Sequence, residues 1–230
     1  MSSKRILVTG ASRGIGLELV KQFIDRGHHV LALSRNTSGL KKLASVHEHL
    51  NAVETDITKE PGIDKVVGFV NENWGAVDIV IHNAGALLHK PFKETTVDDF
   101  QRIYQVNVFA VAELSRRLDP FFIEGTHVVT ISSMGGIQGS MKFAGLAAYS
   151  SSKGAVITLM ELLAEEYKER GVSFNALALG AVQTEMLKEA FPDYEAPVTA
   201  ADMANYISDF ALEGSKVFNG KVLQVSNSTP

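Results

Sequence analysis

"LVTGASRGIG", residues 7–16, joins a short apolar run to an amphipathic one through three glycines. Gly10, Gly14 and Gly16 stand at spacing GxxxGxG, not the GxGxxG of the standard dinucleotide fingerprint. The physics is shared: glycines allow a tight turn and close backbone approach, so a pyrophosphate can sit at the amino end of the following helix. A glycine-rich turn alone could be a plain turn. Its weight comes from what lies on either side.

Before it, "RILVTG" reads as a strand, and after it "IGLELVKQFIDRG" reads as a helix. Leu19, Phe23 and Ile24 fall on one side of that helix and Gly27 is a plausible stop. The same alternation continues through "HVLALS", "AVETDI", "VDIVIHNAG", "HVVTISS", "SFNALAL" and "KVLQVS". Several of these runs are nearly continuous in Val, Ile, Leu and Ala, as strands covered on both faces should be. The expectation is an α/β fold: a Rossmann-type, doubly wound, seven-stranded parallel sheet with helices on both faces. No linker, repeat or Pro/Gly-rich seam interrupts residues 1–230, so a single dinucleotide-binding and catalytic domain is expected.

Composition narrows the function. With 22 basic and 26 acidic residues the net charge is -4, which gives no reason to expect nucleic acid or an anionic membrane as partner. The absence of cysteine excludes disulfides and thiol catalysis. No signal peptide or membrane-length apolar run is found, and a cytoplasmic protein is the default expectation. The seven histidines are scattered, without metal-site company, and read as surface residues; no metal is expected.

The end of the second strand bears on the cofactor. NAD-binding sheets usually carry an acidic residue there to bond the ribose hydroxyls. Here Ser34 and Arg35 stand in its place, a small hydroxyl and a guanidinium suited to a 2′-phosphate. Arg13, inside the glycine turn with Ser12 and Ile15, can approach the same phosphate. Solvated surface arginines are the alternative, but NADP(H) is favoured over NAD(H). Asp56, followed by Ile57, follows the third strand and is placed to accept from the adenine amino group. Asn83, Ala84 and Gly85 end the fourth strand in a small, close-approach turn. Both segments also fit simple turn chemistry; their order along the chain favours the cofactor.

A second stretch, "AAYSSSKGAV" at 147–156, sets one phenol and one ammonium among small residues. On a helix, Tyr149 and Lys153 share a face, with Cβ atoms about 5–6 Å apart. A free phenol has a pKa of about 10, and an acid/base near pH 7 needs a shift of roughly 4 kcal/mol. One cation about 4 Å away at an effective dielectric of about 20 supplies that much. Tyr149 is therefore expected to exchange the substrate hydroxyl proton, with Lys153 lowering its pKa. Ser133, closing "VVTISS" at a strand's carboxyl end, is the candidate donor to a developing oxyanion; Ser132 should face the other way.

TGxxxGxG at 9–16, NAG at 83–85, ISS at 131–133 and YxxxK at 149–153 together resemble the short-chain dehydrogenases/reductases. The resemblance covers nearly the whole chain. It implies that Lys153 also bonds the nicotinamide ribose and that Asn107 holds a water relay to the lysine. A buried Asn satisfying backbone groups is the other reading of Asn107. Three departures stand out: a longer loop between Ser133 and Tyr149, Leu179 where the family often has proline before Gly180, and "VLQVSNSTP" in place of a glycine-rich ending. Backbone at Val182 and the Thr184 hydroxyl remain candidates for the nicotinamide amide.

Leu88, His89, Ser133, Met134, Phe143, Tyr149 and Met186 are expected to line the substrate pocket, which suits a small-to-medium, largely apolar aldehyde, ketone or alcohol. Residues of about 184–198, with two prolines and an aromatic pair, read as a mobile substrate loop. By analogy with resembling proteins, the helices around 98–118 and 153–171 imply a homodimer or homotetramer. The leading function is an NADP(H)-dependent carbonyl reductase or alcohol dehydrogenase. The alternative is an NADP(H)-binding regulatory or sensor protein with little or no turnover.

Overall fold

The computed structural model describes residues 3–226. The last four residues of the unusual carboxyl-terminal stretch, 227–230, lie outside the described residues. The strands are β1 (Arg5–Thr9), β2 (His29–Ser34), β3 (Leu50–Glu54), β4 (Val77–His82), β5 (Phe122–Ser133), β6 (Ser173–Leu179), β7 (Val182–Gln183), β8 (Val198–Thr199) and β9 (Val222–Val225). The helices are α1 (Gly14–Asp25), α2 (Ser38–Ala44), α3 (Glu60–Asn73), α4 (Val97–Tyr104), α5 (Ala110–Leu118), α6 (Ala147–Glu166), α7 (Glu185–Ala190) and α8 (Ala200–Glu213).

Seven strands form one parallel sheet in the order β3-β2-β1-β4-β5-β6-β9, and β7 pairs with β8 in a separate two-stranded ribbon. The seven sheet strands correspond to the apolar runs of the sequence. Alternation within them divides the core into two layers. Ile6 and Val8 of β1 pack with Leu19 and Phe23 of α1 and with Ile207 of α8. Leu7, between them, packs on the other face with Val66 of α3, Leu114 of α5 and Met160 of α6. All these side chains are essentially fully buried, so each contributes about 1.5–3 kcal/mol by leaving water.

β1 lies at the centre, where the strand order reverses between β1 and β4. Such a reversal opens a crevice at the carboxyl ends of the strands, because the two connecting helices leave to opposite faces. Thr9, Ser34, His82 and Ser133 end the four strands that border it.

Two features depart from the sequence pattern. β5 begins at Phe122 rather than at His127, with a register shift against β4 between Val77 and Ile79. Gly125, at φ +86°, lies inside the irregularity that hides this start. The helical segment around 98–118 is not continuous: a π-helical turn, Gln105–Phe109, separates α4 from α5. A single wide turn leaves no mark on hydrophobic periodicity, and such turns often position functional groups.

The histidines require a correction. His28, His82 and His127 are buried, not at the surface. Each lies in or beside a sheet strand and acts as a neutral polar core group. His127 Nδ1 donates to the Ala211 carbonyl at 2.9 Å, and its Nε2 accepts from Asn175 at 3.0 Å. His28 Nδ1 accepts from the Lys4 backbone N–H at 3.2 Å. Among the described residues no cluster of His, Asp and Glu able to hold a metal is found, and no helix is long and apolar enough to cross a membrane.

Candidate active site

The glycine turn is built for close approach. Gly10 sits at φ +66°, and a Cβ there would fall 2.8 Å from Ala84 Cα. At Gly16 a Cβ would strike the Gly10 carbonyl oxygen at 2.2 Å. The Asn83 amide pins this turn by donating to the Thr9 and Gly10 carbonyls, each at 3.1 Å. Thr9, which the sequence reading passed over, receives the backbone N–H groups of both Asn83 and Ala84 on its hydroxyl, at 3.0 and 2.9 Å. Its only sequence signal was its place at the end of β1. Asn83 thus shapes the cradle through its side chain, while Ala84 and Gly85 line the adjoining wall.

The first turn of α1 has no side-chain cap and no acidic residue. Its amino end therefore presents free N–H dipoles with no carboxylate in its own first turn, the donor set a pyrophosphate requires. At the end of β2 the Ser34 hydroxyl donates to Ser12 at 2.8 Å, tying the glycine turn to that strand. Arg35 is exposed, and its charge helps to hold the Asp56 carboxyl ionised. Burial pushes that carboxyl up, but two bonds from Thr58 with the Arg35 and Lys59 charges outweigh it and leave its pKa below the ordinary value. Ile57 beside it is buried. This donor set fits a dinucleotide, with Ser12, Ser34 and Arg35 around the ribose position. Arg13 is differently engaged: its guanidinium pairs with Glu189 of α7 at 2.5 Å.

Ser133, Tyr149, Lys153 and Asn107 come together at the carboxyl end of β5. Tyr149 and Lys153 sit one turn apart in α6, whose first turn runs against the 3₁₀ turn Met134–Gly136. The Lys153 ammonium lies 5.8 Å from the Tyr149 ring centroid and donates to the Ile131 carbonyl at 2.8 Å. Asn107, in the π-helical turn, accepts from Ala86 N at 2.8 Å and donates to Ala86 O and Ser152 Oγ, both at 2.9 Å. A Cβ on Gly85 would lie 3.6 Å from both Asn107 Oδ1 and Lys153 Nζ, so both groups flank Gly85 in ordinary van der Waals contact. Ser132 faces away from Ser133, bonding the Lys153 carbonyl at 2.8 Å.

The electrostatics differ from the expectation. Burial holds the Tyr149 phenol above its ordinary pKa, and the hydrogen bond with Ser133 only partly offsets this. The Lys153 ammonium, 5.8 Å from the ring centroid, gives its hydrogen bond to the Ile131 carbonyl. Burial lowers Lys153 itself to about 8. The Ser133 hydroxyl also accepts from Gly135 N at 3.2 Å, which fixes its rotamer.

The substrate-side residues divide. Leu88 and Met186 are partly exposed, while Phe143 is 47% exposed and Met134 is buried. His89 bridges to the far wall: its Nδ1 meets the Ala190 carbonyl at 3.2 Å, and its ring lies 4.7 Å from that of Phe191. Val182 is buried in β7, and the Thr184 hydroxyl accepts from Leu187 N at 3.3 Å to cap α7. In the long loop after Ser133, the Ser140 hydroxyl is consumed in closing the loop onto the Met134 carbonyl at 2.6 Å. Gly136 is a further residue the sequence reading missed: a Cβ there would fall 2.6 Å from the Lys153 carbonyl carbon. The "MGG" triplet was its available signal.

Known proteins share this fold. The sequence model of the short chain dehydrogenase family matches residues 4–195. A 2-(R)-hydroxypropyl-CoM dehydrogenase of Xanthobacter autotrophicus is 29% identical, over 96% of this chain and 96% of its own. The 3-ketoacyl-(acyl-carrier-protein) reductase of Brucella melitensis, solved with NADH, superposes with a TM-score of 0.88 at 26% identity, covering 98% of each chain. A short chain dehydrogenase of Burkholderia cenocepacia, solved with NADP, gives 0.88 at 25% identity, covering 98% of this chain and 97% of that one. Its sheet order, its glycine turn and this match over most of its length place the chain in the short-chain dehydrogenase family of oxidoreductases.

Proposed function

We propose that the protein is an NADP(H)-dependent carbonyl reductase or alcohol dehydrogenase acting on a small-to-medium, largely apolar substrate. The observation that carries this reading is the convergence of Ser133, Tyr149 and Lys153 at the mouth of the crevice that the glycine turn also borders. A bound nicotinamide supplies a hydride to the carbonyl carbon. Tyr149 gives its proton to the carbonyl oxygen, so hydride and proton together yield the alcohol, and oxidation reverses both.

A phenol held above its ordinary pKa is protonated at neutral pH, the form a reductase needs. Ser133 donates to the oxygen as negative charge grows on it. Lys153, still mostly charged at pH 7 with a pKa of about 8, favours the tyrosinate left behind. Asn107 braces the loop at Ala86 against Ser152 of the catalytic helix, and thereby sets where Lys153 stands.

Two observations support NADP(H): β2 ends in Ser34 and Arg35 rather than a carboxylate, and the Ser12–Ser34 bond brings the glycine turn beside them. The loop 184–198, carrying α7 and Phe191, covers the substrate side. Val97, Phe109 and Leu162, all more than half exposed on α4, the π-helical turn and α6, support a dimer formed through those helices.

The test is NADPH and NADH binding, then NADPH oxidation against a panel of carbonyls, for wild type, Tyr149→Phe and Arg35→Ala. Turnover lost in Tyr149→Phe with binding retained supports the reductase, and NADPH affinity lost in Arg35→Ala supports the cofactor choice. Tight NADPH binding with no turnover in any variant replaces this reading with a sensor.

A further inference from the structure

Glu189 sits in α7, on the opposite wall of the crevice from the glycine turn, yet its carboxylate holds Arg13 at 2.5 Å. Both side chains are at least half exposed. One turn earlier on the same short helix, Glu185 Oε2 lies 3.3 Å from where a Gly14 Cβ would be. Two carboxylates of α7 therefore face the turn whose free N–H groups suit an anion. The same carboxyl-terminal end of α7 is also fixed to the loop after β4 by His89, which bonds Ala190 and packs on Phe191. The loop is thus anchored at two places, and one anchor is a cofactor-binding candidate.

Resting on the reading that this crevice takes NADP(H), we propose that Glu189 tunes the preference for NADPH over NADH by competing with the 2′-phosphate for Arg13. Arg13 follows Ser12, whose hydroxyl accepts from Ser34, so the backbone from which Arg13 extends lies beside the strand end that carries Arg35. A guanidinium binds a carboxylate or a phosphate through the same planar fork, and one occupant displaces the other. The Arg13–Glu189 pair is exposed and therefore weak, so a phosphate can displace it instead of being excluded. NADH, lacking the 2′-phosphate, leaves the pair intact. Glu189 thus lowers the advantage of NADPH over NADH, and it does so through Arg13.

The experiment titrates full-length protein with NADPH and with NADH, following the fluorescence of the reduced nicotinamide, for wild type, Glu189→Gln, Arg13→Ala and the double variant. Glu189→Gln should tighten NADPH about two- to fivefold, the worth of an exposed ion pair, and leave NADH unchanged. Arg13→Ala should weaken NADPH and abolish the gain from Glu189→Gln. High salt should shrink the gain, since both competitors are screened. An NADPH affinity unmoved by Glu189→Gln, or a gain shared equally by NADH, overturns the proposal. If wild type turns over with NADH and neither substitution moves NADPH binding, the oxidoreductase reading stands and this inference falls. If neither cofactor binds wild type, both fall.

Discussion

The Lys153 ammonium donates a 2.8 Å hydrogen bond to the carbonyl oxygen of Ile131, two residues before the active-site serine of the same strand. With the Ser132 bond to the Lys153 carbonyl, it joins α6 to the end of β5. It also leaves a cation almost entirely out of water, and the consequences can be measured.

Lys153 has a folded-state pKa of about 8 against an ordinary 10.5. Between those values the unfolded chain binds a proton that the folded protein has released, so stability should rise with pH across that window. The gain is of the order of 3 kcal/mol, at about 1.36 per unit. Urea unfolding near pH 7.5 and pH 10.5 should show it, and Lys153→Met should lack it. An equal slope in the variant would assign the rise to other groups.

Ser133 acts in the opposite sense to burial on the Tyr149 phenol. Ser133→Ala should raise the phenol pKa further, moving the alkaline midpoint of the pH–rate profile upward. Turnover should fall by about 10²–10³, the usual loss for an oxyanion donor. Full activity in Ser133→Ala would transfer the donor role elsewhere.

His82 is buried with its Nε2 3.0 Å from Ser115 Oγ and its Nδ1 without a hydrogen-bond partner among the described residues. Burial lowers its pKa to about 4, and His127 is lowered likewise to about 4. The unfolded state therefore binds more protons between pH 6.5 and 4, and stability should fall as pH falls through that range, by about 3 kcal/mol for each histidine. The double variant His82→Leu/Ser115→Ala should lose roughly half of this acid slope in unfolding measurements.

Gly136 and Gly68 should respond oppositely to the same substitution. Gly136→Ala drives a methyl into the Lys153 backbone at 2.6 Å, and should cost about 1–3 kcal/mol while displacing the lysine and abolishing turnover. In α3, a Cβ on Gly68 would meet nothing within 4 Å. Gly68→Ala should therefore raise the unfolding free energy by about 0.5–1 kcal/mol without touching activity.

Asn107→Ala removes three hydrogen bonds between the π-helical turn, Ala86 and Ser152. Stability should drop by about 1–3 kcal/mol, because the partly buried Ala86 N–H and carbonyl lose their partner. A positioning role predicts that kcat falls more than cofactor affinity does; an equal loss in both would make Asn107 a general structural residue.

The sequence alone determined the sheet, the close-approach glycine turn and the helix that carries Tyr149 and Lys153, because these follow from short-range rules. Near-continuous apolar runs define buried parallel strands, glycines at Gly10, Gly14 and Gly16 define a close-approach turn, and helical spacing puts Tyr149 and Lys153 on one face. Tertiary structure alone decided everything set by neighbours far apart in the chain. Tyr149 is raised rather than lowered because burial outweighs its hydrogen bond with Ser133. His28, His82 and His127 became core groups because strands and helices remote in sequence closed over them. The π-helical turn at Asn107, the approach of Gly136 to Lys153 and the Arg13–Glu189 pair belong to the same class. A side chain's protonation and partners depend on all the groups that surround it in space, and periodicity records only those along its own element.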